Sequence, residues 1–426
     1  MKYDYSQLLF DIQKKSNITI SNVRDVKFLK EEIESVTNTS IAFNTLRRMF
    51  GFLEKREPNV GTLNKLANYL GYSSFSNYKN HKNNYHDWYF QQYLLLICKY
   101  NKLDISHIKE INKGISNENN VVYLGYFINF HIEKNNINSV KFIFQNVNFN
   151  QVSATQLHKL GIIISLILAS STEQKALKIY KTLIPFDNFR NYVPLLHIDY
   201  AHLATRYFDI LQLIEKNNAN PSDLLFTSLM YKYRDFYVLN KDIDEDINKP
   251  DDFESYHYTL KGRYYGYKLL QNNHQLEEVK KEIAEACTKN KVSFFLIEII
   301  PALIFIDEIK LLEKLLNKYY EEVFEVVVWS SETTNAIYLI GLANVNLHNN
   351  KSQIAKRNLE LIELDKVEIG YYHYINLFYN LTYLKISHAE KDKKRNKTAA
   401  TALKKCIAIT SFIRFESKLN DYLLRR

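Results

Sequence analysis

Only ten glycines and six prolines are spread over the 426 residues of this chain. Glycine supplies the positive-φ turns and the tight phosphate loops that α/β enzymes use between strands and helices. A chain this sparing of it points to long helices joined by short polar links. The apolar residues agree. Segments of helical length recur at Trp88–Tyr100, Val121–Ile132, Val140–Val147, Gln156–Ala169, Glu173–Leu183 and Tyr192–Glu215. They continue at Tyr256–Leu270, Gln275–Cys287, Val292–Ile306, Leu311–Tyr320, Thr334–Leu347, Gln353–Leu364, Tyr371–His388 and Thr398–Arg414. Asn-rich breaks such as Asn135-Asn136 and Asn349-Asn350 separate them. The expected fold class is all-α.

Cys98, Cys287 and Cys406 stand far apart, without the CxxC spacing of a zinc site or the even number of a disulfide framework. A reduced cytoplasmic setting follows as an expectation. Leu160–Ala169 is too short to span a bilayer, and Val292–Ile306 carries Glu298 and Pro301. Both read as buried helices, and no membrane partner is expected.

The net charge of +9 is unevenly placed. Residues 1–84 hold 13 Lys and Arg against 8 Asp and Glu; residues 385–426 hold 12 against 4; the middle is slightly acidic. Basic ends suit a polyanion, or simply keep the chain soluble.

The N-terminal 84 residues have a plan of their own. Tyr5–Ile12 fits a first helix with Leu8, Leu9 and Ile12 inward. Asp25–Ile33 reads as a helix capped by Asp25, with Val26, Leu29 and Ile33 on one face. After the polar Thr37-Asn38-Thr39-Ser40, the residues Ala42, Leu46, Met49, Phe50 and Leu53 mark the apolar face of the next segment, and Ser40, Asn44, Arg47 and Arg48 project elsewhere. Pro58-Asn59 opens a helix with Leu63, Leu66, Ala67 and Leu70 inward, and Gly71 stops it. Tyr72, Phe75 and Tyr78 are expected to fold back on this small core.

Ser40–Gly51 followed by Pro58–Tyr72 resembles the Cro/repressor-type, or Xre-like, helix-turn-helix, in a variant of the Bacteroidetes style. The first two helices lack the Gln-rich start of that motif, so phosphate contacts made there in relatives do not carry over. The resemblance implies a domain over 1–84 that lays its second helix in the major groove of double-stranded DNA. It implies that Ser40, Asn44, Arg47 and Arg48 face the bases and that Lys55 and Arg56 touch phosphates. Arg and Asn suit base edges because each offers a two-pronged hydrogen-bond geometry. Without DNA, the same segment reads as a protein-docking domain with a solvated Arg face.

Residues 85–426, after the polar 80–85, read as a helical-repeat body for sensing or oligomerisation. Asn335–Leu347 with Gln353–Leu364, then Tyr371–His388 with Thr398–Arg414, repeat at about the period of tetratricopeptide hairpins. The repeat is degenerate, so the expectation is an α-solenoid that is tetratricopeptide-like. The plan is similar to that of the Rgg/PlcR regulators, which implies a homodimer and a peptide or protein ligand on the body. A regulator of transcription is the leading reading, and a scaffold without DNA binding the alternative.

Catalytic motifs are sparse. No HExxH, GxGxxG or GxxxxGK[ST] occurs, and no cofactor is expected. Asp242–Glu254 is similar to a calcium loop but has Ile247 where glycine is needed and Phe253 where glutamate is needed; it reads as a solvated acidic loop. Arg190 and His197 fit the loose spacing of HEPN-type ribonucleases, yet Pro194 interrupts the helix which that chemistry requires. His197, Asp199 and His202 do not share a helical face as metal ligands would. Lys391–Lys397 reads as a basic loop, solvated or touching nucleic acid.

Overall fold

The computed structural model describes residues 5–54, 56–82, 85–217, 220–271, 276–289, 291–324 and 331–423. Every regular element among them is helical. The chain divides into two compact units, Met1–Ile97 and Cys98–Arg426.

The first unit holds α1 (Ser6–Ser16), α2 (Val23–Thr37), α3 (Phe43–Met49), α4 (Val60–Tyr69), α5 (Phe75–Lys82) and α6 (Tyr85–Ile97). It thus extends one helix past the polar stretch 80–85. Leu8, Ile12, Val26, Leu29, Ile33, Leu46, Leu63, Leu66 and Ala67 form its core, with no more than a trace of exposure, and Phe75 and Tyr78 pack on them. Ala42 is exposed, and the adjoining Ile41 is the buried residue instead. The cap of α2 is Asn22 and not Asp25. The Asn22 side chain accepts from the backbone of Arg24 and Asp25, while Asp25 reaches back to the Asn22 N–H at 2.9 Å. This reciprocal box starts the helix three residues earlier than an Asp25 cap would. Asn59 caps α4 at Thr62 N, and Gly71, at φ +98°, follows its last turn.

The second unit runs α7 (Ile105–Ile115), α8 (Val121–Glu133), α9 (Ile137–Asn146), α10 (Ala154–Ser170), α11 (Glu173–Leu183), α12 (Asp187–Tyr192) and α13 (Arg206–Lys216). It continues with α14 (Pro221–Tyr237), α15 (Tyr258–Leu270), α16 (Leu276–Lys289), α17 (Val292–Phe305), α18 (Ile309–Lys318) and α19 (Tyr320–Phe324). Last come α20 (Ser331–His348), α21 (Ser352–Glu360), α22 (Ile369–Ala389), α23 (Lys393–Thr410) and α24 (Arg414–Leu423). The expected helix over Tyr192–Glu215 is broken into α12 and α13. Pro194 lies in the gap, where its carbonyl accepts from the Tyr207 hydroxyl at 2.6 Å. The basic stretch 391–397 is largely the first turn of α23, capped by Asp392, with Arg395 held by Glu390 and Asp392.

Helices near in sequence pack on one another in parts of the unit, as α8 does on α9 and α10, α15 on α14, α16 and α17, and α20 on α21 and α22. Two features bring distant segments together. The end of the chain returns to the middle of the unit: Tyr200 stacks on Tyr374 at 4.4 Å, Tyr237 stacks on Phe412 at 5.1 Å, and Arg414 pairs with Asp242 at 2.5 Å. Helix α17 is buried almost throughout, and its one charge, Glu298, meets Arg263 of α15. No helix among the described residues is long and apolar enough to cross a membrane.

Candidate functional sites

In the first unit the link 38–42 between α2 and α3 is held by side chains. Glu34 Oε1 accepts the Ile41 N–H at 2.8 Å, and the hydroxyls of Thr37 and Thr39 meet at 2.7 Å. This fixes how α3 leaves α2. With Leu46 and Met49 turned into the core, the polar residues of α3 are left outside. Asn44 is exposed, and Arg47 and Arg48 are half-buried. Arg47 lies along its own helix, its guanidinium 5.6 Å from the Phe43 ring centre and donating to Asn44 Oδ1 at 3.3 Å. Its Nε is buried without a hydrogen-bond partner. Ser40 is exposed just before α3, and its carbonyl accepts from Lys65 of α4 at 2.7 Å. Lys65 therefore adds a cation beside the expected set. Sequence reasoning passed over it because it sits on the polar side of a helix read for its apolar face. Arg56 is exposed, and Lys55 lies outside the described residues.

The second unit contains a cavity of about 430 Å³. His158 of α10, Tyr192 of α12, Asp223 and Phe226 of α14, Arg263 of α15, and Glu368 and Tyr371 at the start of α22 line it. Its charges come in pairs with one exception. Asp223 Oδ2 accepts from Arg190 Nε at 2.7 Å, and both side chains are 5% exposed. Arg263 is paired with Glu298, and the Tyr371 hydroxyl donates to Glu298 Oε1 at 2.7 Å. Glu368 has no such cation. Its Oε1 stands 3.3 Å from His158 Nε2, and no donor is aligned on it. Burial pushes its carboxyl up. His158 and His197 lie with ring centres 4.9 Å apart, and burial holds them down to about 3 and about 4. Both rings are therefore neutral near pH 7.

Several sequence candidates resolve into structural roles. Arg190 is buried and held by Asp223, by Asp187 at 2.6 Å and by the Ile184 carbonyl at 3.0 Å, a structural tie between α12 and α14. Asp199 accepts from Arg206 and faces His202 at 2.9 Å. Among the described residues no group of three or more His, Cys, Asp or Glu could hold a metal ion. The acidic segment 242–254 is pinned and not simply solvated: Ile243 and Phe253 are buried, and Glu245 and Asp246 pair with Lys232 and Lys268.

No family model, no curated protein and no solved structure matches this chain.

Proposed function

We propose that the chain is a DNA-binding transcriptional regulator whose first unit docks double-stranded DNA through α3, and whose second unit is a solenoid-like array of hairpins carrying a ligand site. One observation carries the reading. The pair α2 and α3 is joined by a link fixed by Glu34, and the face of α3 opposite Leu46 and Met49 presents Asn44, Arg47 and Arg48 beside Lys65. A helix held at a fixed angle with such side chains outward suits major-groove docking. Local hairpin packing, as of α8 with α9 and α10 and of α20 with α21 and α22, supports the array, and a homodimer would match a palindromic site.

The test is retention of genomic DNA fragments by the full chain at two salt concentrations. A few fragments should survive the higher salt. Changing Arg47 and Arg48 to Ala should abolish the preference among fragments, at about 1–3 kcal/mol per lost base contact. Changing Arg56 or Lys65 to Ala should weaken all fragments alike and lower the salt slope by about one each. Unchanged selection by the double variant would refute the assigned helix.

A second reading, a scaffold that docks proteins and not DNA, is favoured by α6. It leaves Tyr89 and Leu95 about 70% exposed, with Trp88 and Leu96 not far behind. No DNA retention even at low salt would select this reading.

A further inference from the structure

We infer that the cavity of the second unit binds a small organic cation, an amine with an apolar body, whose ammonium group sits on Glu368. This deepens the ligand half of the proposed function and rests on no property of the first unit.

The size comes first. At about 430 Å³ the cavity falls in the lower part of the range for small-molecule sites, roughly 300–1,000 Å³. It suits a small molecule and not a folded partner. Leu260, Phe226, Phe294 and Ile297 are among its lining residues and offer apolar contacts for a ring or alkyl body.

Charge then decides the head group. Asp223 is neutralised by Arg190, and Arg263 by Glu298. Lys261, next in sequence to the lining residue Leu260, is paired with Glu254. The remaining ionisable groups on the wall are His158, His257 and Glu368. The carboxylate of Glu368 thus has no fixed cation, and its Oε1 lacks an aligned donor. The Glu368 side chain keeps some exposure, but its Oε1 is buried without a donor, and a bound cation would favour the ionised form there. An ammonium group supplies both the missing charge and the missing N–H donors. An anionic ligand would meet the carboxylate as a like charge, and a neutral one would leave it uncompensated. In the absence of ligand the neutral His158 ring at 3.3 Å is the best contact available to it.

The experiment is calorimetric titration of the full chain at pH 7 with three probes that share a phenylethyl body: 2-phenylethylamine, 2-phenylethanol and 3-phenylpropanoate. The amine should bind at least about tenfold more tightly than the alcohol or the acid. Glu368→Gln should remove that tenfold preference. Leu260→Trp, which fills the cavity from a half-buried position, should abolish binding of the amine while a melting curve shows the fold intact. Equal binding of the three probes, no amine binding at millimolar concentration, or a preference that survives Glu368→Gln would each overturn the inference. None of these outcomes touches DNA retention, so failure of the ligand site and failure of the DNA reading are read separately.

Discussion

His131, His158 and His197 are each less than a tenth exposed, and burial alone is the leading cause that holds them down to about 4, 3 and 4. His131 shows why. It sits against the Phe127 ring at 4.6 Å, and its Nε2 has no partner. An unfolded histidine titrates near 6.5, so below that value the unfolded chain takes up protons that the folded chain refuses. The three contributions are complete above pH 6.5 and are lost as pH falls towards 4. Each costs about 1.4 kcal/mol per pH unit in that window. Asp223 and Glu368, both pushed up by burial, have the opposite sign and soften the slope at its acid end. Urea unfolding between pH 7 and pH 5 should therefore show a steep loss of stability. His131→Leu should reduce the slope by about one proton. A flat profile would mean that these rings are not buried neutral.

At the scale of the element, two of the few glycines lie where two helices touch. Gly262 and Gly266 lie in α15, and a Cβ on Gly262 would stand 2.2 Å from the Phe295 carbonyl oxygen of α17. One on Gly266 would stand 2.8 Å from the Glu298 carbonyl oxygen. Backbone cannot yield as a side chain does, so Gly262→Ala should cost about 1–3 kcal/mol of stability. Gly125→Ala is the control. Its nearest neighbour is the tip of the Ile163 side chain at 3.1 Å, and alanine is the better helix former by about 1 kcal/mol, so the change should be near neutral. Equal effects in chemical denaturation would refute the backbone contact. These elements also show what the sequence made legible. Single-faced helices such as α2 and α4 declared their buried residues through their spacing, and Asn59 and Gly71 mark the ends of α4, whereas α2 begins at Asn22 and not at the expected Asp25. Helix α14 lay outside the expected segments because it is buried on several sides, from Asp223 to Tyr237, so polar and apolar residues share the interior and no single period survives. For the candidate sites the contrast is the same. Asn44, Arg47 and Arg48 could be named from local spacing. The cavity joins residues from 154 to 371, and its defining fact, one carboxylate left unpaired among paired charges, exists only after packing.

The second unit as a whole is governed by how its last helices return. An open stack of hairpins would leave its last helices apart from its middle. Here Tyr200, Tyr237, Tyr374, Phe378, Phe412 and Phe415 form one cluster, with Phe415 5.2 Å from Phe378 and Phe412 stacked on Tyr237. Helix α22 belongs both to this cluster, through Tyr374, and to the cavity, through Glu368 and Tyr371. The Tyr371 hydroxyl further ties it to the buried Arg263–Glu298 pair. The return of the last helices to the middle of the unit and the shape of the cavity should therefore be lost together. Phe412, fully buried, is the residue whose removal tests this, since it touches the cluster from the far end of the chain. Phe412→Ala should cost about 3–5 kcal/mol. Hydrogen exchange should then quicken together in 198–207, in 369–378 and in α24, because the loss of one aromatic plate releases all three. Faster exchange confined to α24 would show instead that the terminal helix is an independent flap and that the cavity keeps its shape without it.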